Sequence, residues 1–137
     1  MGRIIAIDYG LKRTGIAVTD PEKIIASPLT MIPSEDCIKF LKDYILREEV
    51  ETIVIGLPVD LRSRETHATI PVRKFAKELA SVFPRVHIEM IDERFTSKMA
   101  VDTMIMAGSK KKDRKVKGNI DKISAAIILQ SYLEQIS

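Results

Sequence analysis

Three strand-like runs fill the first 31 residues, and the turns between them are too short to hold a helix. Arg3–Tyr9 carries the uninterrupted apolar centre Ile4-Ile5-Ala6-Ile7, as a buried strand does. Gly10–Arg13 reads as a turn, Thr14–Thr19 as a second strand, Pro21-Glu22 as another turn, and Lys23–Met31 as a third strand that ends before Pro33. Strands joined this closely must run antiparallel, because a parallel return needs a crossover of roughly a dozen residues or more. The chain therefore opens as a meander.

The pattern then changes to alternating helices and strands. Ser34 is placed to cap a helix over Glu35–Arg47, with Cys37, Ile38, Leu41, Tyr44 and Ile45 on one face. Thr52–Gly56 is a short apolar run of the kind found at the centre of a sheet. Leu57–Arg64 is a charged loop. Glu65–Val82 is largely helical, with Val72, Phe75, Ala76, Leu79 and Val82 as its stripe and Pro71 either starting or kinking it. Arg85–Ile91 alternates as a strand. Thr96 or Ser97 caps a helix to Ala107, Gly108–Gly118 is a basic loop, and Asp121 opens a last helix through Leu133, with Ile123, Ala126, Ile127 and Gln130 at helical spacing. The order βββαβαβαα implies an α/β fold: one domain over residues 1–137, built on a mixed five-stranded sheet with helices on both faces.

Ligands of such sheets gather beyond the carboxyl ends of central strands. Asp8 follows Ile7 at one such end, Asp92 and Glu93 follow Ile91 at another, and Asp121 stands near the start of the last helix. Taken singly, an Asp at a strand end is most often a turn former and one at a helix start a cap. Jointly, Asp8, Glu93 and Asp121 are expected to meet at one sheet edge. Crowded carboxylates repel, and a divalent cation with a preference for oxygen, Mg²⁺ or Mn²⁺, relieves that repulsion. Such a cluster suits phosphodiester hydrolysis, with Asp8 bridging and Glu93 and Asp121 flanking. Alternation puts Asp92 and Glu93 on opposite sides of their strand and leaves open which of them faces the site, with Asp92 otherwise an outer-shell group or a structural hydrogen-bond acceptor.

Charge points to the same class of substrate. The 22 Lys and Arg exceed the 19 Asp and Glu by three. Lys110, Lys111, Lys112, Arg114, Lys115 and Lys117, opposed only by Asp113, carry +5 of this, which leaves −2 elsewhere. A run of this kind is either a solvated loop or an arm that holds nucleic-acid phosphates. Lys12, Arg13 and Arg94 add charge beside the acids. Gly10 and Gly15 bracket the turn after Asp8 and let a phosphate approach the backbone. Tyr9 and Phe95 are the aromatics near enough to stack on a base, although core packing is the commoner fate, and aromatics make up only 5% of the chain.

Other chemistries find less support. Cys37 is the one cysteine, so no internal disulfide forms, and its expected place is the core near a helix start. His67 and His87 lack ligand-like spacing, which argues against zinc. No apolar run approaches the roughly 20 residues of a membrane span, and the N-terminus enters a strand without a signal peptide. The expectation is a cytoplasmic protein with no membrane partner.

Four segments together resemble the YqgF family, also called RuvX, a group of RuvC-like proteins proposed as Holliday junction resolvases and as pre-16S rRNA nucleases. Ile7-Asp8-Tyr9-Gly10-Leu11-Lys12-Arg13-Thr14-Gly15-Ile16-Ala17-Val18 is similar to its opening motif, and Ile53–Pro58 to its second. Asp92–Ser97 is similar to the third, and Lys117–Ala126 with the following Ile-Leu-Gln-Ser-Tyr-Leu to the fourth. The resemblance implies an RNase H-like fold, Asp8, Glu93 and Asp121 as site acids, and maturation of the 5′ end of 16S rRNA, with structured RNA or a pre-ribosomal particle as partner. It departs after Gly56-Leu57-Pro58. There the family often carries an Asn-Met-Asp-Gly-like run, and this chain reads Val59-Asp60-Leu61-Arg62-Ser63-Arg64. Relative to RuvC, the strand ending at Gly56 has no acid at its tip; Asp60 is the nearest.

Three rival functions follow from the same residues. A DNA junction endonuclease calls for a dimer, so that two matched cuts are made. An actin-like ATPase would use the Asp8-Tyr9-Gly10 turn for phosphate, but it needs a second domain, and no Walker A pattern is present. A noncatalytic RNA-binding assembly factor needs only the basic loop.

Overall fold

The computed structural model describes residues 2–58, 69–92 and 117–136, with 117–122 described by backbone alone. The described elements are β1 (Arg3–Tyr9), β2 (Arg13–Thr19), β3 (Ala26–Pro33), a 3-10 turn (Ser34–Asp36), α1 (Cys37–Arg47), β4 (Val50–Leu57), α2 (Thr69–Val82), β5 (His87–Asp92) and α3 (Lys117–Ile136). The expected helix to Ala107, the loop at 59–64, the start of the second helix at 65–68 and the basic loop through 116 lie outside the described residues.

The five strands form one sheet in the order β3-β2-β1-β4-β5. β2 is antiparallel to both β1 and β3, while β1, β4 and β5 are parallel. This is the expected mixed sheet, with the meander on one side of β1 and the crossovers on the other.

Parity along β1 divides the core into two layers. Ile4 and Ala6 pack with Val54, Ile91 and the α3 residues Ala125 and Leu129. Ile5 and Ile7 pack with Ile53 and Ile55, with Leu41 and Tyr44 of α1, and with Val72, Phe75 and Leu79 of α2. All four apolar residues of β1 are essentially removed from solvent. An uninterrupted apolar run requires cover on both faces, and the helices supply it.

Several boundaries differ from the sequence reading, each for a local reason. β3 begins at Ala26, not Lys23, because the Asp20 carboxylate accepts backbone N–H bonds from Glu22, Ile24 and Ile25. That turn also holds Lys23 at φ 62°, and the ladder resumes at the Thr19–Ala26 pair. Pro71 does not break α2, whose described part runs through it from Thr69 to Val82. The last helix already includes Lys117, one turn before Asp121, so Gly118 lies within the helix and Lys117 is not part of a loop. Its buried face is also broader than the expected stripe. Ile123 and Ala126 are buried as expected, but Ala125, Ile128, Leu129, Tyr132 and Leu133 join them, while Ile127 and Gln130 are half-buried. A helix apolar nearly all round gives periodicity no face to choose.

Tyr132 ties α3 to the sheet edge by donating to Glu89 Oε2 at 2.8 Å. Burial, reinforced by this bond, pushes its phenol up to about 12. The unfolded chain ionises near the ordinary value of 10, so this contribution to stability is complete below that pH and is lost as pH rises from 10 towards 12. Urea denaturation of wild type and Tyr132→Phe should show a steeper decline for the wild type across that window. Parallel pH profiles would show that the phenol is not held in this way.

Candidate active site

Asp8 occupies the end of β1 on the α3 side of the sheet, by the alternation that puts Ile4 and Ala6 there. Its partner on β2 is Gly15, which in turn pairs with Met31 of β3. On the other flank, Gly56 has the parity of Val54 and pairs with Ile91 of β5. The last β1–β4 pair is Ile7 with Ile55, so one residue further along this register Asp8 lies between two buried glycines, and neither neighbouring strand raises a side chain beside it. A hollow of about 170 Å³ opens there, lined by Asp8, Gly10, Arg13, Gly15 and Met31.

The turn that follows is built tightly. A Cβ at position 10 would lie 2.5 Å from the Arg13 carbonyl oxygen, so only glycine fits. Ser34 then fastens the turn from outside. Its hydroxyl donates to the Gly10 carbonyl and shares a 2.7 Å bond with the Thr14 hydroxyl, and its N–H donates to the Lys12 carbonyl at 2.9 Å. Ser34 was expected to cap a helix. It instead lies inside the 3-10 turn, Asp36 takes the N-cap position of α1, and the Ser34 hydroxyl is taken by the hairpin. Lys12 and Arg13 stand exposed on the turn so held.

Other expected residues are placed differently. Asp92 follows Ile91, a member of the α3-side core, and so has the parity opposite to Asp8. Tyr9 lies on the α2 side, its ring stacked on Phe75 at 4.2 Å; it belongs to the core and offers no base platform beside Asp8. Cys37 is fully buried, and burial pushes its thiol up to about 12, which removes it as a nucleophile. His87 is exposed, 3.3 Å from Glu89. Glu93, Arg94, Phe95, Asp60, His67, Lys110, Lys111, Lys112, Arg114 and Lys115 lie outside the described residues, and Lys117 and Asp121 are described by backbone only. Among the described residues no group of three His, Cys, Asp or Glu forms a metal site. The sequence reading missed Ser34, Met31 and Gly56 as neighbours of the site. Only strand register brings them there.

The family model described as RuvX, Holliday junction resolvase, matches residues 2–135. Relatives from Porphyromonas gingivalis and Flavobacterium psychrophilum are 52% and 53% identical, over 98% and 97% of this chain and 97% of each relative. Both carry the name "Putative pre-16S rRNA nuclease". Among solved structures, Thermus thermophilus RuvC in complex with a Holliday junction substrate aligns with TM-score 0.57 at 14% identity, covering 100% of this chain and 98% of that one. A second Thermus thermophilus RuvC structure aligns with TM-score 0.51 at 13% identity, covering 97% and 96%. The fold is RNase H-like, as RuvC's is.

Ser34→Ala should destabilise the protein by about 1–3 kcal/mol, the cost of leaving buried polar partners unmet, as read from urea midpoints. An unchanged midpoint would show that the clamp carries no energy. Cys37 should resist a thiol reagent in the native protein and react fully once unfolded; rapid native labelling would contradict its burial.

Proposed function

Because the chain belongs to the RuvX family, we propose that it is a metal-dependent phosphodiester hydrolase that matures the 5′ end of precursor 16S rRNA. The observation that carries the chemistry is Asp8, seated at the carboxyl end of β1 between Gly15 and Gly56, above an open hollow. Support for the substrate comes from the names of relatives that match along nearly the whole chain.

Glu93 and Asp121 complete the acid set in this reading. On β5 the α3-side positions are Glu89 and Ile91, and the next residue of that parity in sequence is Glu93, which favours it over Asp92. Position 121 precedes Ala125 and Ile128 by one and two helical turns, on the row of α3 that packs on the sheet. Three carboxylates are hard oxygen donors that fit Mg²⁺ or Mn²⁺, and the glycines beside Asp8 leave room for an ion. Such an ion supplies a nucleophilic water at neutral pH and stabilises charge on the phosphate and leaving oxygens. The chain's own carboxylates orient it. Lys12, Arg13 and Arg94, with Lys110, Lys111, Lys112, Arg114, Lys115 and Lys117, bind flanking phosphates, which position the strand without reading its sequence. One RNase H-like nuclease domain over residues 1–137, working in the cytoplasm on RNA or a pre-ribosomal particle, accounts for these features. No described helix is long and apolar enough to cross a membrane.

The test is cleavage of a labelled RNA spanning the precursor–mature boundary, with a four-way DNA junction as the competing substrate. Wild-type protein should cut the RNA only with Mg²⁺ or Mn²⁺. Asp8→Asn should lower the rate at least about a hundredfold, since metal stabilisation is worth several kcal/mol and about 1.4 kcal/mol is tenfold. Undiminished cutting by Asp8→Asn, or cutting in EDTA, would sink the mechanism. Preference for the junction would transfer the substrate to DNA.

A further inference from the structure

Arg13 and Met31 line not one hollow but two. Beyond the Asp8 hollow, on the β3 side, lies a second space of about 430 Å³ lined by Lys12, Arg13, Met31, Ile32 and Pro33. This volume falls within the usual range of small-ligand pockets, roughly 300–1,000 Å³. The register explains the adjacency. Arg13 pairs with Pro33 and Gly15 with Met31, so these four residues share the sheet face of Asp8. The two spaces form a track that leads from the central strand to the edge strand, with shared walls at Arg13 and Met31.

The lining is divided by chemistry. Lys12 and Arg13, both exposed, supply cationic donors on the turn that Ser34 clamps. Met31 and Pro33 supply an apolar wall from one strand, while Ile32 between them has the opposite parity and packs on the α1–α2 side. Two cations beside an apolar wall complement a nucleotide, which carries a phosphate at one end and a base with an apolar face at the other. Met suits such a wall because its flexible, polarisable side chain adapts to a flat ring.

We propose that the Lys12–Pro33 space is a subsite for the nucleotide flanking the scissile phosphodiester. Its phosphate lies against Lys12 and Arg13, and its base lies against Met31 and Pro33. The proposal rests on the nuclease reading above and deepens it. The substrate strand crosses the meander side of the sheet, and Tyr9 has no part in holding a base. Specificity at this position comes from the presence of a base and not from its hydrogen-bonding edge, because the wall is apolar.

The test reads binding, not turnover, so that its failure is distinct from failure of the hydrolase proposal. Wild-type protein in EDTA is titrated into fluorescent oligoribonucleotides spanning the precursor–mature boundary of 16S rRNA, at several salt concentrations. One abasic nucleotide is walked through successive positions around the boundary. One position should weaken binding by about fivefold. Met31→Ala should weaken binding of the intact oligonucleotide by a similar factor, keep the salt slope, and lose sensitivity to the abasic nucleotide at that position, since the two changes remove one contact. Lys12→Ala and Arg13→Ala, at exposed positions where folding is not at stake, should each lower the salt slope by about 0.7, as expected for one lost phosphate contact to a single strand. A flat abasic scan, additive losses in Met31→Ala, or unchanged slopes in both cation variants would overturn the proposal.

Discussion

Everything in this structure is referred to a single strand with no solvent on either side. β1 buries Ile4, Ile5, Ala6 and Ile7 completely, so alternation leaves no freedom in where the next residues go. Asp8 must share a face with Ile4 and Ala6, under α3, and Tyr9 must share the other with Ile5 and Ile7. A one-residue slip would bury the acid among α1 and α2 and put an aromatic ring in its place. The sheet's apolar core is thus also the device that aims the carboxylate.

The two faces have divided their work accordingly. The α1–α2 face is a closed apolar layer, in which Cys37 and the Tyr9–Phe75 stack serve packing alone. The α3 face is apolar over most of its area but changes character at the carboxyl ends of the strands. There Gly15, Asp8 and Gly56 follow one another across three strands. Glycine on both sides of an acid removes the neighbours that would otherwise cover it, and the space left is the hollow at Asp8. The clamp at Ser34 extends this order into the loop. A turn that carries two exposed cations would otherwise be free to move, and bonds to Gly10, Lys12 and Thr14 fix its backbone to the start of α1.

The likeness to RuvC at 14% identity, beside relatives at about half identity, shows which features are tied to topology. Strand order and layer arrangement follow from a meander plus two parallel strands, a pattern that many sequences satisfy.

The amino-acid sequence by itself determined the fold class, the order of the described strands and helices, the apolar stripes of α1 and α2, and Asp8 as the acid at the end of the first strand. These follow from local periodicity and turn chemistry, which act within a few residues. Ser34 looked like a cap because its nearest neighbours begin a helix, yet a hairpin 20 to 24 residues upstream took its hydroxyl. Lys23 looked like strand because the Asp20 turn outlasts its two obvious turn residues. The face of α3 was illegible because it is apolar nearly all round. Only tertiary structure decided that Gly15 and Gly56 flank Asp8, that Met31 joins it from the edge strand, and that Asp92 has the opposite parity. Each of these is a matter of register between strands. Register is set by the summed burial of whole strands against whole helices, a quantity that no short stretch of sequence contains.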